Sequence, residues 1–153
     1  MTVIAWDGKK MAADKLGWGA PMGIVTKIHF INDEIVGIAG KSSQIADVLE
    51  WAKNGFSKET MPEHQKDPEK FSNVIVVDKD GRLRVYESGP NPWYNERTAH
   101  AIGSGCDVAM GAMHHGATSA EAVTICIKYG GGCGIGYDEI TPVTGEKKTV
   151  IFP

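Results

Sequence analysis

The chain has 153 residues, of which 42% are hydrophobic and 23% are charged, and its formal net charge is −3. These values are ordinary for a globular protein and suffice for the core of one domain, which we expect to span residues 1–153. The lack of a basic excess argues against binding to nucleic acid or to an anionic membrane surface. No signal peptide, disulfide framework or membrane-length apolar run is apparent, so we expect a soluble cytoplasmic protein.

Apolar runs separated by turn signals predict mostly β-strands in the first 40 residues. Asp7-Gly8 is a hairpin signal, because both residues tolerate positive φ. The flanking strands pair in one of two registers: a two-residue turn places Thr2 opposite Ala13, whereas a three-residue turn places it opposite Asp14. The predicted strands are 2–6, 9–14, 23–31 and 34–39, with a loop at 16–23 and a turn at 32–33.

Three helices are predicted after these strands. Ser42 is the candidate N-cap of the first helix, whose apolar residues recur with the helical period until Asn54-Gly55. The second helix ends at Gly116, and a capping box of Thr118 and Glu121 begins the third. The expected buried stripes are Ile45, Val48, Leu49 and Ala52; Cys106, Ala109, Met110 and Met113; and Ala122, Ile125, Cys126 and Tyr129.

The remaining segments predict further strands and loops. A second hairpin is expected at 73–78 and 82–88, a short strand at 98–103, and last edge strands ending at residues 149–152. Residues 56–70 are expected to form a surface loop or an irregular helix, and residues 89–97 a loop. Hairpins and helices grouped in this order favour an α+β fold with antiparallel sheets and helices on their outer faces.

Five short segments stand out by their order along the chain: 1–4 (Met-Thr-Val-Ile), 11–15 (Met-Ala-Ala-Asp-Lys), 25–28 (Val-Thr-Lys-Ile), 37–40 (Gly-Ile-Ala-Gly) and 101–105 (Ala-Ile-Gly-Ser-Gly). Together they resemble the proteasome β-subunit family, in particular its short bacterial and phage homologues, over nearly the whole chain. This resemblance implies a four-layer αββα N-terminal nucleophile (Ntn) hydrolase sandwich, with two antiparallel sheets between helices. It also implies stacked rings that enclose a chamber.

The resemblance further implies that Thr2 is the nucleophile of a threonine peptidase. A threonine hydroxyl attacks a carbonyl only when a base accepts its proton. In Ntn enzymes that base is the α-amino group of the same residue, and its ordinary pKa of about 7.7–8.0 suits the task. Met1 must therefore be removed first. On the strand pattern alone, Thr2 would be an ordinary β-branched strand residue.

Four further residues match the family's site. A lysine at position 27, in the middle of a predicted strand, would lower the pKa of the hydroxyl and keep the amine neutral, and Asp14 would pair with it. Without the resemblance, Lys27 and Asp14 would be interpreted as a surface ion pair. Gly40 matches the position whose backbone N–H stabilises the oxyanion, and otherwise only ends a strand. Ser104 matches a serine near the N-terminal amine and is also a candidate helix N-cap.

The glycine-rich segment 130–136 departs from the family pattern. Proteasome subunits usually carry an aspartate and a serine here, whereas this chain has glycine at the first position and Cys133 near the second. The simpler bacterial peptidases lack the pair as well. Cys133 is the one thiol whose reactivity merits a test. In the loop 89–97, Trp93 and Tyr94 are expected either to contact a substrate or a neighbouring subunit or to pack locally.

The predicted function is cleavage of unfolded polypeptide by a homo-oligomeric ring, with a ring ATPase as a possible partner and with no metal or cofactor. Two alternatives stay open. The chain could be a catalytically inactive, ring-forming scaffold of the same fold, or an Ntn amidase that acts on small molecules. Fold alone does not distinguish these functions.

Overall fold

A computed structural model describes residues 1–18 and 21–153. Those residues form twelve strands, β1 (Ile4–Trp6), β2 (Met11–Asp14), β3 (Leu16–Gly17), β4 (Gly23–Ile24), β5 (Ile28–Ile31), β6 (Glu34–Ala39), β7 (Asn73–Val77), β8 (Leu83–Tyr86), β9 (Trp93–Asn95), β10 (His100–Ile102), β11 (Gly136–Ile140) and β12 (Lys147–Ile151). They also form three α-helices, α1 (Ile45–Lys53), α2 (Cys106–His114) and α3 (Ser119–Tyr129).

The strands are arranged in three antiparallel sheets. The first sheet has the order β10-β1-β2-β11-β12, and the second has the order β5-β6-β7-β8-β9. A ribbon of β3 and β4 makes up the third. Antiparallel sheets combined with separate helices are the content predicted for an α+β fold. None of the helices in the described stretches combines the length and apolar character needed to span a bilayer.

The core has three parts, because successive residues of a strand point to opposite faces of its sheet and so enter different parts. Along β1, Ile4 and Trp6 point towards the second sheet, and the intervening Ala5 points towards α2 and α3. Apolar side chains of both five-stranded sheets meet in one part, and those of the first sheet pack on α2 and α3 in another. In the third part, Trp51 of α1 packs on the outer face of the second sheet.

The first hairpin adopts neither of the two predicted registers. Ile4 pairs with Ala13 and Trp6 with Met11, so the turn is centred on Gly8-Lys9 rather than on Asp7-Gly8. The physical reason is the Asp7 side chain, whose Oδ1 accepts hydrogen bonds from the backbone N–H groups of Lys9 and Lys10 at 2.8 and 2.9 Å. Gly8, at φ 92°, then supplies the positive φ.

Several other predictions need correction. The strand predicted at 23–31 is split into β4 and β5, and the predicted loop at 16–23 contains β3 as well as residues 19–20, which lie outside the described residues. The loop predicted at 89–97 contains β9. Ser42 does not cap α1, whose N-cap is Gln44. Tyr129 is 79% exposed rather than buried, because it occupies the last position of α3. The capping box of Thr118 and Glu121 is confirmed.

Candidate active site

Asp14 is the centre of a buried polar cluster at the end of β2. Its side chain is fully buried and accepts four hydrogen bonds. Oδ1 accepts from Val3 N at 2.9 Å and from Lys27 Nζ at 2.8 Å. Oδ2 accepts from the backbone N–H groups of Leu16 and Gly134, both at 3.3 Å. A buried carboxylate needs this number of donors, and each one ties a different segment of the chain to the site.

Lys27 is buried as well, so the Asp14–Lys27 pair is not the surface ion pair that the strand pattern allowed. The residue does not lie in the middle of a strand but just before β5, in the segment between β4 and β5. Its backbone carbonyl accepts a hydrogen bond from Ile38 N at 2.9 Å, which fixes this segment against β6. The ammonium group also donates to the backbone carbonyl of Met1 at 3.2 Å.

Thr2 lies before β1 and is held by the turn that precedes α2. Its backbone N–H donates to Ser104 Oγ at 3.1 Å, and its carbonyl accepts from Gly105 N at 3.0 Å. Gly103 has φ 92°, and a Cβ at this position would lie 2.3 Å from the Thr2 carbonyl oxygen. Only glycine fits here, because both the backbone conformation and the space exclude a side chain. The sequence analysis did not identify Gly103 as a site residue.

Ser104 contacts Thr2 and does not cap α2. The N-cap residue of α2 is Gly105, and no side chain accepts a hydrogen bond from the first turn. Of the two roles considered for Ser104, the structure shows the contact with Thr2 N and excludes the helix cap.

Gly40 lies in the segment that connects β6 to α1, at the edge of a cleft of about 510 Å³ that Thr2 and Lys27 also line. A Cβ on Gly40 would approach Ser72 Oγ to 2.6 Å, so the close passage of Ser72 requires glycine here. Gly40 is exposed, and its N–H has no hydrogen-bond acceptor within the described residues. It is therefore available to a bound group. Leu16, Val25 and Ile45 add an apolar lining to this cleft.

The chain terminus reports on the electrostatics of the site. Burial, followed by the positive charge of Lys27, lowers the pKa of the Met1 α-amino group below its usual value, although Asp14 partly opposes this shift. The Met1 side chain packs against Gly132, whose φ is 81°. An amine at this end of β1 is therefore more readily neutral than an amine in water.

Cys133 lies beside the same cluster, in surroundings that disfavour a reactive thiol. Its side chain is buried, and burial together with the Asp14 carboxylate raises the pKa of the thiol. Since the thiolate is the nucleophilic form of cysteine, these surroundings oppose the reactivity that its place in the glycine-rich segment suggested.

The structure thus brings all five predicted site residues to one end of the two large sheets. Asp14 and Lys27 are in direct contact, as are Thr2 and Ser104, and Gly40 lines the same cleft as Thr2 and Lys27. In comparisons with known proteins, no family model matches the chain and no curated protein matches its sequence.

Proposed function

We propose that this protein is a threonine peptidase of the Ntn type, in which Thr2 becomes the first residue and attacks a peptide bond. The observation that carries the proposal is the buried Asp14–Lys27 pair at the chain terminus, where Lys27 Nζ already contacts the residue that precedes Thr2. The pair therefore holds a positive charge next to the segment in which Thr2 would become the first residue.

Removal of Met1 would convert the amide nitrogen of Thr2 into a free amine. That amine would accept the proton of the Thr2 hydroxyl, directly or through a water molecule, while the oxygen attacks the carbonyl carbon of the substrate. Ser104 Oγ, which lies 3.1 Å from this nitrogen, would hold the amine in place and help to transfer the proton. Burial and the charge of Lys27, which lower the pKa of the Met1 amine, would act in the same way on a Thr2 amine and favour the neutral form that a base requires.

The tetrahedral intermediate carries a negative oxygen, which the Gly40 N–H would stabilise. Lys27 would add its positive charge beside the nucleophile, and Asp14 would hold the ammonium group in position. Collapse of the intermediate breaks the C–N bond, and the departing amine takes the proton from the Thr2 amine. Water then hydrolyses the Thr2 ester and regenerates the enzyme.

The proposal includes the finer fold and the assembly that the resemblance implies. The three-part core, with helices packed on the outer face of each five-stranded sheet, supports a four-layer αββα sandwich. Copies of this sandwich would form a homo-oligomeric ring around a chamber that admits unfolded polypeptide. A ring ATPase would be the partner that unfolds the substrate.

Reaction with a peptide epoxyketone, followed by intact-mass spectrometry, tests the mechanism. This electrophile forms a ring with both the hydroxyl and the free amine of an N-terminal threonine, so an adduct requires loss of Met1 and a nucleophilic Thr2. We expect an adduct on the processed protein and none on Thr2→Ala. Thr60→Ala is the control, because Thr60 is exposed and lines neither of the clefts next to Thr2. Peptide cleavage that persists in Thr2→Ala would refute the proposal.

A further inference from the structure

A second cleft, of about 580 Å³, adjoins Thr2 on the side of β8, β9 and β10. Thr2 and Gly40 line both clefts, so the proposed reacting centre lies where the two meet. Among the side chains that line the second cleft and that the proposed mechanism does not use are Glu87, Trp93 and His100. Its volume is within the range of pockets that bind small ligands or parts of larger ones.

The alternation of strand residues explains why Glu87 faces this cleft. Val85 of β8 is buried between the two large sheets, and Glu87 lies two residues further on the same face. Trp93 is the Cα partner of Val85 on β9, so it belongs to this face too. The backbone carbonyl of Glu87 accepts a hydrogen bond from Nε2 of the buried Gln65 at 3.0 Å, and this contact fixes the backbone from which the Glu87 side chain extends. The inter-sheet face therefore continues into the cleft as an acidic, aromatic surface.

The negative charge of Glu87 is not neutralised by its neighbours. In residues 1–18 and 21–153, no basic side chain forms an ion pair with it. Apart from the α-amino group of the chain, it is the charged group of the cleft. His100 does not offset it either, because burial lowers the pKa of the imidazole, which is therefore mainly neutral at neutral pH.

Trp93 provides an exposed aromatic surface in the same cleft as Glu87. Its side chain is 43% exposed, and its ring meets the ring of His100 edge-on, with centroids 5.6 Å apart. Asn95 Nδ2 lies 2.9 Å from His100 Nδ1 and holds the imidazole in place. An exposed indole attracts cations, and its apolar surface suits the methylene stem of a long basic side chain.

We propose that this second cleft binds a lysine or arginine side chain of the substrate, next to the bond that Thr2 would attack. The proposal rests on the proposed peptidase function and names the class of polypeptide that it prefers. The first cleft has the opposite charge, because Lys41 lines it and forms no ion pair within the described residues, whereas Asp14 balances the charge of Lys27. A basic side chain is therefore favoured on the Glu87 side of the scissile bond and disfavoured on the other.

Paired fluorogenic peptides with lysine or norleucine at each position around the cleavage site test this preference. Norleucine keeps the methylene stem but removes the charge, so the ratio of kcat/KM values isolates the cation. We expect lysine to be preferred roughly 3–10-fold at one position, and Glu87→Gln to remove most of that preference. Glu96→Gln is the matched control, since Glu96 is also exposed but lines a different cavity. An unchanged ratio in Glu87→Gln would overturn the proposal.

A binding measurement separates failure of this proposal from failure of the peptidase mechanism. The same lysine and norleucine peptides are titrated against the wild-type protein while the Trp93 indole N–H is followed by NMR. Tighter binding of the lysine peptide, lost in Glu87→Gln, supports the cation site even if no peptide is cleaved. Equal binding of the two peptides rules the cation site out even if Thr2 proves to be the nucleophile.

Discussion

Lys27 Nζ lies 2.8 Å from Asp14 Oδ1, and both side chains are buried, although 13 residues separate them in the chain. The carboxylate that holds the lysine also accepts hydrogen bonds from Val3, Leu16 and Gly134. The side chain of Asp14 therefore affects the position of the proposed nucleophile, the position of the Lys27 ammonium group and the stability of the fold. This coupling leads directly to the first prediction.

Lys27→Met should destabilise the protein and abolish its reaction with the epoxyketone. The substitution leaves the Asp14 carboxylate buried with backbone donors but without its positive partner, which we expect to cost about 3 kcal/mol of unfolding free energy. Urea denaturation measures the stability, and intact mass measures the adduct. Lys58→Met, at an exposed lysine, should stay within about 0.5 kcal/mol of wild type. Equal unfolding midpoints for the two variants would show that the pair is not buried in solution.

Gly103→Ala should displace Thr2, because the backbones of the two residues are in direct contact. Alanine at φ 92° is strained, and its Cβ would overlap the Thr2 carbonyl oxygen. We expect a loss of about 1–3 kcal/mol together with slower adduct formation.

The matched control for this change is Gly111→Ala, in the middle of α2, where a Cβ meets no atom within 4 Å. Since alanine is the better helix former, this variant should gain about 0.5–1 kcal/mol. Thermal unfolding of both variants checks the prediction, and a tolerated Gly103→Ala would contradict the close packing described for Thr2.

Lys15, directly after β2, and Asp138 of β11 form a second buried ion pair, and removing either partner alone should destabilise the protein. Asp138 also accepts a hydrogen bond from Thr149 Oγ1 at 2.6 Å, and Lys15 Nζ donates to Thr26 Oγ1 at 3.3 Å. We expect Asp138→Leu to lose about 3–5 kcal/mol, because it leaves the buried Lys15 without a carboxylate. Lys15→Met should lose less, because Lys147 Nζ lies 3.7 Å from Asp138 Oδ2 and remains as a partner.

The double variant should lose less than the sum of the single ones, since it leaves neither charge in the core. A double-mutant cycle by urea denaturation measures this coupling. Additive losses would mean that the two side chains do not interact.

Stability should fall as the pH drops below about 6.5, and His29 should account for part of the fall. Burial lowers the pKa of His29, although the Thr26 carbonyl partly opposes this. The imidazole of His29 therefore binds a proton more readily in the unfolded chain than in the folded one. As the pH falls from the ordinary pKa towards the lowered pKa, this difference favours unfolding.

His29→Gln should accordingly flatten the dependence of the melting temperature on pH between pH values of about 7 and 5.5. His114→Gln, at the exposed end of α2, serves as the control and should leave the dependence as it is in the wild-type protein. A steep dependence that persists in His29→Gln would assign the effect to other groups.

Local sequence determined much of this protein. The helical period placed α1, the capping box of Thr118 and Glu121 fixed the start of α3, and the hairpin signals placed β6, β7 and β8 close to their observed bounds. These features depend on residues a few positions apart, so they can be predicted from neighbours in the chain. The five site residues came from the order of short segments that resemble a known family.

Only the tertiary structure decided the register of the first hairpin and the surroundings of Thr2. Asp7 shifts the turn by accepting hydrogen bonds from Lys9 and Lys10, and its other oxygen accepts from Ser119 N, 112 residues away, at 2.8 Å. Likewise, the contact of Ser104 with Thr2 spans 102 residues. The contacts of Asp7 with Ser119 and of Thr2 with Ser104 form only when distant segments pack together, because a local pattern specifies which face a side chain takes but not which segment will meet it.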